Sequence, residues 1–237
     1  MKKTLILGFF VGALVLTAGS ALADKPVMGV AEFTNNATGI HWWRGGVGWE
    51  LSGMLTNELA ATGSFSMVER SKLEPVLMEQ DLAASGRIAK GTGAKIGQLT
   101  GAQYLVMATV TAFEEGTKGT RGGIGFKGVR VGGKKGEAYL AVDLRVVNTT
   151  KGTVDYVRTV EARATNKGFA VGAYRGGFGG SLAQEEKTPT GKAIRAVVVE
   201  IAGYLECAMV KQDSCISEYD AKEAKRKESL KKGIKLD

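Results

Sequence analysis

The sequence predicts an α+β domain: a mostly antiparallel sheet packed by helices, with two glycine-rich β-hairpin insertions and a C-terminal helix. Three observations predict it. Short β-branched apolar runs alternate with helical periodicity in the order strand, helix, strand, helix, helix, strand, insertion, strand, strand, insertion, helix. The runs Tyr139 to Val147 and Thr153 to Ala164 flank a turn at Thr150-Lys151-Gly152, the clearest hairpin signal in the chain. Thr190 to Met209 sets Ile194, Val197, Val198, Ile201 and Leu205 on one face of a long helix.

Taken in order, residues 1–23 precede the domain. Lys2 and Lys3 form a positive region, Leu5 to Ala18 an apolar run, and Ala21-Leu22-Ala23 a small-x-small cleavage pattern. The run falls short of the roughly 20 apolar residues of a spanning helix, so it reads as a signal peptide cleaved after Ala23. No cysteine lies near that site, so the mature chain is expected to be exported and not lipidated. Lys25 to Phe33 reads as a strand and residues 34–48 as a loop rich in Asn, Gly and Trp. Leu51, Met54, Leu55 and Leu59 recur at helical spacing, and Thr62-Gly63 stops that helix. Phe65 to Glu69 alternates like a short strand. Ser71 is placed to N-cap the next helix, with Glu74 as capping-box partner and Leu73, Val76, Leu77 and Leu82 facing inward.

Ala94 to Thr100 reads as a short helix and Ala102 to Phe113 as a strand. Residues 114–137 and 165–187 are the glycine-rich insertions. Both are longer than ordinary connections, and such loops are functional or disordered. The domain spans residues 24–216. Residues 217–237 form a Lys/Glu-rich tail without an apolar stripe, an exposed helix or disordered.

The charge of +8 drops to +6 once Lys2 and Lys3 leave with the signal. A basic exported chain points to acidic lipid, polysaccharide or another secreted protein. The Arg-Gly-Gly tripeptides at Arg44, Arg121 and Arg175 are scattered, unlike clustered RNA-binding repeats, so nucleic acid is not expected as a partner. Cys207 and Cys215, the two cysteines, read as a local structural disulfide in an oxidising compartment.

No catalytic, metal or cofactor grouping is expected. Gly128 to Lys134 has P-loop spacing, but Lys135 stands where a magnesium-binding Ser or Thr belongs. His41 is the single histidine, remote in sequence from both cysteines and beside two tryptophans, so it reads as a packing residue and argues against multi-His metal sites and most His-dependent catalysis. Glu69 beside Arg70 reads as a strand-end salt bridge. A membrane β-strand needs roughly 9–11 residues, so either insertion is long enough for a hairpin. The second offers Phe169, Val171 and Ala173, then Tyr174, Phe178 and Leu182 after a register shift, with Arg175 its one charge between Gly168 and Ala183; the first offers Ile124, Phe126, Val129 and Val131, interrupted by Lys127 and Arg130. Both can also be read as flexible surface loops, and for the first insertion that reading leads.

The strand Val30-Ala31-Glu32-Phe33, the helix with Met54-Leu55 and Glu58-Leu59, and Phe65-Ser66-Met67-Val68-Glu69-Arg70 resemble the CsgG family, the curli production assembly/transport components. So do Leu73 to Gly86 with Glu79-Gln80, Gly101 to Val106, and Leu140 to Thr150 with Leu144-Arg145-Val146-Val147-Asn148. The resemblance implies a homo-oligomeric ring of periplasmic α+β domains, each donating two β-hairpins to one outer-membrane barrel that passes unfolded curli subunits. Accessory envelope proteins would be further partners. The two insertions fall where those hairpins would be. The loop after the first strand, where the family narrows its channel, matches residues 35–48, with Asn35, Asn36, Trp42 and Trp43 as constriction residues. The tryptophans are also suited to packing within the loop or between subunits. Family transporters carry a lipidated cysteine at the cleavage site, where this chain has Ala-Leu-Ala. The expectation is a subunit of an outer-membrane secretion or assembly channel; the alternative is a soluble periplasmic interaction module of the same fold without a pore.

Overall fold

A computed structural model describes residues 24–119, 134–165, 182 and 187–233, with side chains withheld for 117–119, 134 and 135. The signal-peptide segment, the hairpin residues Ile124, Phe126, Val129, Val131, Phe169, Val171, Tyr174 and Phe178, and the last four residues of the tail lie outside them.

The elements are β1 (Val27–Val30), β2 (Thr34–Asn35), α1 (Val47–Thr62), β3 (Ser66–Met67), α2 (Leu73–Ala84), β4 (Tyr104–Gly119), β5 (Lys134–Asn148), β6 (Val154–Thr165), α3 (Pro189–Glu206), a π-helical turn (Cys207–Lys211) and α4 (Cys215–Gly233). They build an α+β fold on one sheet of order β3-β1-β4-β5-β6, with β2 beside β4. The long strands β4, β5 and β6 are antiparallel, while β1 runs parallel to β3 and β4, and β2 parallel to β4. The parallel part follows from connectivity, because α1 and α2 are the crossovers that parallel neighbours need, whereas a tight turn joins β5 to β6.

Even-numbered residues of the long strands face the core: Val106, Ala108 and Val110 on β4, Leu140, Val142, Leu144 and Val146 on β5. Helix α3 covers β5 and β6 and packs against α1. Its predicted stripe, Ile194, Val197, Val198, Ile201 and Leu205, is buried throughout, and each such side chain contributes about 1.5–3 kcal/mol. Thr188 caps this helix by accepting from the Gly191 N–H at 3.0 Å, with Pro189 in the first turn.

The disulfide joins Cys207 to Cys215 with Cα atoms 6.0 Å apart, linking the end of α3 to the start of α4. The tail is therefore a helix through Gly233, and it buries none of its residues. It lies beside the edge strand β6. Arg158 of β6 sits 4.8 Å from the Tyr204 ring of α3 and 5.0 Å from the Tyr219 ring of α4, and it donates to the Tyr219 carbonyl. Arg226 reaches Glu161 at 3.6 Å and Glu223 at 2.8 Å.

Four local expectations fail. The capping box at Ser71 and Glu74 does not form: the Glu69 carboxylate instead accepts from the Ser71 N–H and hydroxyl and the Lys72 N–H, and Lys72 is the N-cap. That binding, led by the Ser71 hydroxyl, lowers the Glu69 carboxyl from its ordinary value. No ion pair joins Glu69 to Arg70; the guanidinium donates to the Glu69 carbonyl at 2.9 Å. Ala94 to Thr100 is turns rather than helix, because Gly97 at φ +78° breaks a right-handed run at its centre. On α2, Val76, Leu77 and Leu82 are exposed rather than facing the core.

Candidate functional site

The loop after β1 is stitched at both ends. Phe33 N–H donates to the Gly48 carbonyl at 3.2 Å. A Cβ at Gly48 would lie 2.4 Å from the Phe33 carbonyl oxygen, so only glycine permits this approach. Residues 34–35, read as loop from sequence, pair with Thr109 and Val110 of β4, and the Thr34 and Thr109 hydroxyls meet at 2.7 Å. Asn35 lies in this short strand, its side-chain oxygen accepting from the Ala37 N–H at 2.8 Å. Asn36 is exposed, its N–H donating to the Val110 carbonyl at 2.9 Å.

The two tryptophans occupy different environments. Trp42 is 3% exposed and meets the Phe113 ring edge-on at 5.6 Å. Trp43 is half-buried, 5.8 Å from Trp42. The buried Trp42 indole N–H has no acceptor among the described residues.

The strands leading into the first insertion go on past the core. The row of Glu115, Ala138 and Ala164 is the last to reach the core, through the two buried alanines, yet the antiparallel ladder of β4 and β5 extends to Gly119 opposite Lys134. Four residues at about 3.4 Å each carry it roughly 14 Å farther. Residues 114–119 and 134–137, read as part of an irregular insertion, are thus strand. Glu115, where this extension begins, holds three pieces together. One carboxylate oxygen accepts from the Thr190 hydroxyl at 3.2 Å, at the start of α3, and the other faces His41 of the loop at 3.6 Å. At the second insertion, the Leu182 N–H donates to Glu50 of α1 at 3.0 Å, and the Leu182 side chain is fully buried.

The loop and the bases of both insertions therefore converge on one end of the domain. Sequence reading missed Glu115, Glu50 and Thr190 as the residues that pin them, and it took Leu182 for a hairpin position where the structure buries it in the core of the domain. Glu50 in a first helical turn and Leu182 as an apolar residue among glycines were the available signals. Glu114, Glu115 and Glu137 share a small concavity with Tyr139 and Arg163 at the hairpin base. Burial, then the Glu161 charge, pushes the Tyr139 hydroxyl above its ordinary value, so Tyr139 stays a neutral donor there. Among the described residues no three His, Cys, Asp or Glu side chains group as metal ligands, and no helix is long and apolar enough to cross a membrane.

A family model described as "Curli production assembly/transport component CsgG" matches residues 12–234. None of the curated proteins matches the chain significantly. Among solved structures, the chain is similar to a hypothetical protein, CT253, from Chlamydia trachomatis at 15% identity, covering 79% of this chain and 99% of that one, with a TM-score of 0.45. It is similar to the PelC dodecamer from Paraburkholderia phytofirmans at 14% identity, covering 78% and 92%, with a TM-score of 0.33. Lipoprotein GNA1162 from Neisseria meningitidis shares 16% identity, over 61% and 88%, with a TM-score of 0.34.

Proposed function

The chain belongs to the CsgG family of curli production assembly/transport components, and from that membership we propose that it is one subunit of a ring-shaped channel for secretion or assembly of curli-type or related polypeptides in the outer membrane. The chain is exported, its signal removed after Ala23, and works without a cofactor or a catalytic step. The observation that carries the reading is the ladder from β4 into β5, which leaves the domain as an antiparallel pair at the site of the first insertion. A hairpin projecting from a folded base is what a subunit contributes to a shared barrel, since barrel closure removes the unpaired edges that lipid cannot satisfy.

The mechanism is passive. Extended polypeptides pass a narrowing formed by the loop of residues 35–48, and folded ones do not. Buried Trp42 anchors that loop against Phe113, and the accessible members Asn36 and Trp43 face the passage. Glu115 and Glu50 tie the loop and α1 to the hairpin bases, so that ring and barrel keep one geometry.

Deletion of residues 168–180 tests the reading while sparing the buried Leu182. The account expects a folded protein, native by circular dichroism, that no longer remains with outer membranes. Unchanged membrane retention would refute the second hairpin's role. If the intact chain is already soluble in the periplasm, the fold serves as an interaction module instead.

A further inference from the structure

Two apolar surfaces of the domain are left uncovered by its described elements. The first is α2, which meets the other helices and strands only through isolated contacts. Met78 is 64% exposed and Leu82 38%, and they share a concave face with Pro75 and Ser85, edged by Glu79, Asp81 and Arg87. From Leu73 to Ala84 the helix has three carboxylates and no Lys or Arg.

The second surface is the sheet face opposite α1 and α3. Leu105, Val147 and Val154 form one cross-strand row, and Met107, Arg145 and Val157 the next. Directly opposed residues share a face. Met107 is 45% exposed and Val157 62%. Arg145 is the single charge in these two rows, and neither it nor Glu79 or Asp81 has an ion-pair partner among the described residues. Asp143, Asp220, Glu223 and Lys227 also line the concavity beside Arg145. Of these, Asp143 accepts from the Thr159 hydroxyl, and Glu223 is held by Arg226 and Lys227.

Neither surface suits a copy of itself. Helix on helix sets the Glu79 and Asp81 carboxylates of two copies together with only Arg87 of the same patch to offset them, and sheet on sheet sets Arg145 against Arg145, which like-charge repulsion disfavours. The helix and the sheet complement each other in apolarity, and the Glu79–Asp81 edge is opposite in charge to Arg145, the one charge of the two sheet rows. We propose that α2 of one copy docks on the outer face of β4, β5 and β6 of the next, with Met78 and Leu82 against Met107 and Val157 and the Glu79–Asp81 edge meeting Arg145. The contact uses two different patches, and such head-to-tail contacts close into rings when the rotation fits. The proposal rests on the ring reading above and specifies how neighbours meet.

The test is Met78→Cys with Val157→Cys in the full chain, treated with a short bismaleimide cross-linker, beside each single variant and a light-scattering mass of the unmodified protein. The expected result is a ladder of multimers from the double variant and none from either single variant. Charge reversal supplies the second arm: Arg145→Glu should lose the assembly, and Glu79→Lys with Asp81→Lys added to it should restore it, which a merely misfolded variant would not do. Dimers from Met78→Cys alone would overturn the head-to-tail contact. A multimeric unmodified protein with no ladder from the double variant would overturn this pairing and leave the ring standing. A single-chain mass would overturn both.

Discussion

Trp42 keeps 3% of its surface and packs edge-on to Phe113, while Trp43 next to it stays half-buried. Aromatic pairs of this geometry are worth about 0.5–1.5 kcal/mol beyond the area they bury. The two positions should therefore separate stability from passage. Trp42→Ala is expected to cost about 3–5 kcal/mol in urea unfolding. Trp43→Ala should leave the midpoint nearly unchanged and widen the passage, read as faster export of a polypeptide in a secretion assay. Equal destabilisation by both would show that the loop is only a packing element. The sequence marked both tryptophans through their place after the first strand, but not which one is buried. That depends on Phe113, far along the chain and brought near by the parallel pairing of Thr34 and Asn35 with β4.

Helix α4 illustrates how an element without a core is held. Its contacts to the body include the disulfide, the Arg158 stack, the Arg226 network and the ion pair of Lys222 with Glu200 of α3 at 2.7 Å. The hydrogen bond from Arg226, against the opposing pull of burial, holds the Glu223 carboxyl below the ordinary carboxylate value. A depressed folded value means that this contribution is complete above the unfolded value, about 4.3, and is lost as pH falls through the lower folded one. The protection of α4 amides, measured against the intrinsic exchange rate at each pH, should fall on acidification below the ordinary carboxylate range while α3 stays protected. Arg226→Ala should make α4 exchange faster already at neutral pH; protection of α4 that is indifferent to both acid and that substitution would contradict the account.

The elements easiest to read from sequence were those whose pattern is repeated many times: the α3 stripe, the β5–β6 hairpin with Gly152 at φ +69°, and α1 ending at Gly63. Those misread turned on a single local competitor, as Glu69 took the groups that a capping box would have used. Helix α2 misled for a different reason. Its apolar spacing is real, but periodicity says which residues share a face and not whether this copy of the chain covers it.

At the scale of the molecule, the loop, the first hairpin base and the return from the second insertion meet through side chains distant in sequence. Glu115 contacts His41 and Thr190, and Glu50 contacts Leu182. No periodic pattern announces such contacts, which is why the fold was legible and the joining of its functional parts was not. What was legible is the order of elements and where in it the two insertions fall; that their bases lie at the same end as the loop is seen only in the structure. That arrangement suits a subunit that gives its body to a periplasmic ring and its hairpins to a barrel.

The most direct test is to fractionate cells producing the untagged chain, wash the outer membranes with high salt and alkaline carbonate, and then extract with detergent. The account predicts retention through both washes and release by detergent as a ring-sized particle. Recovery in the soluble periplasmic fraction would contradict it.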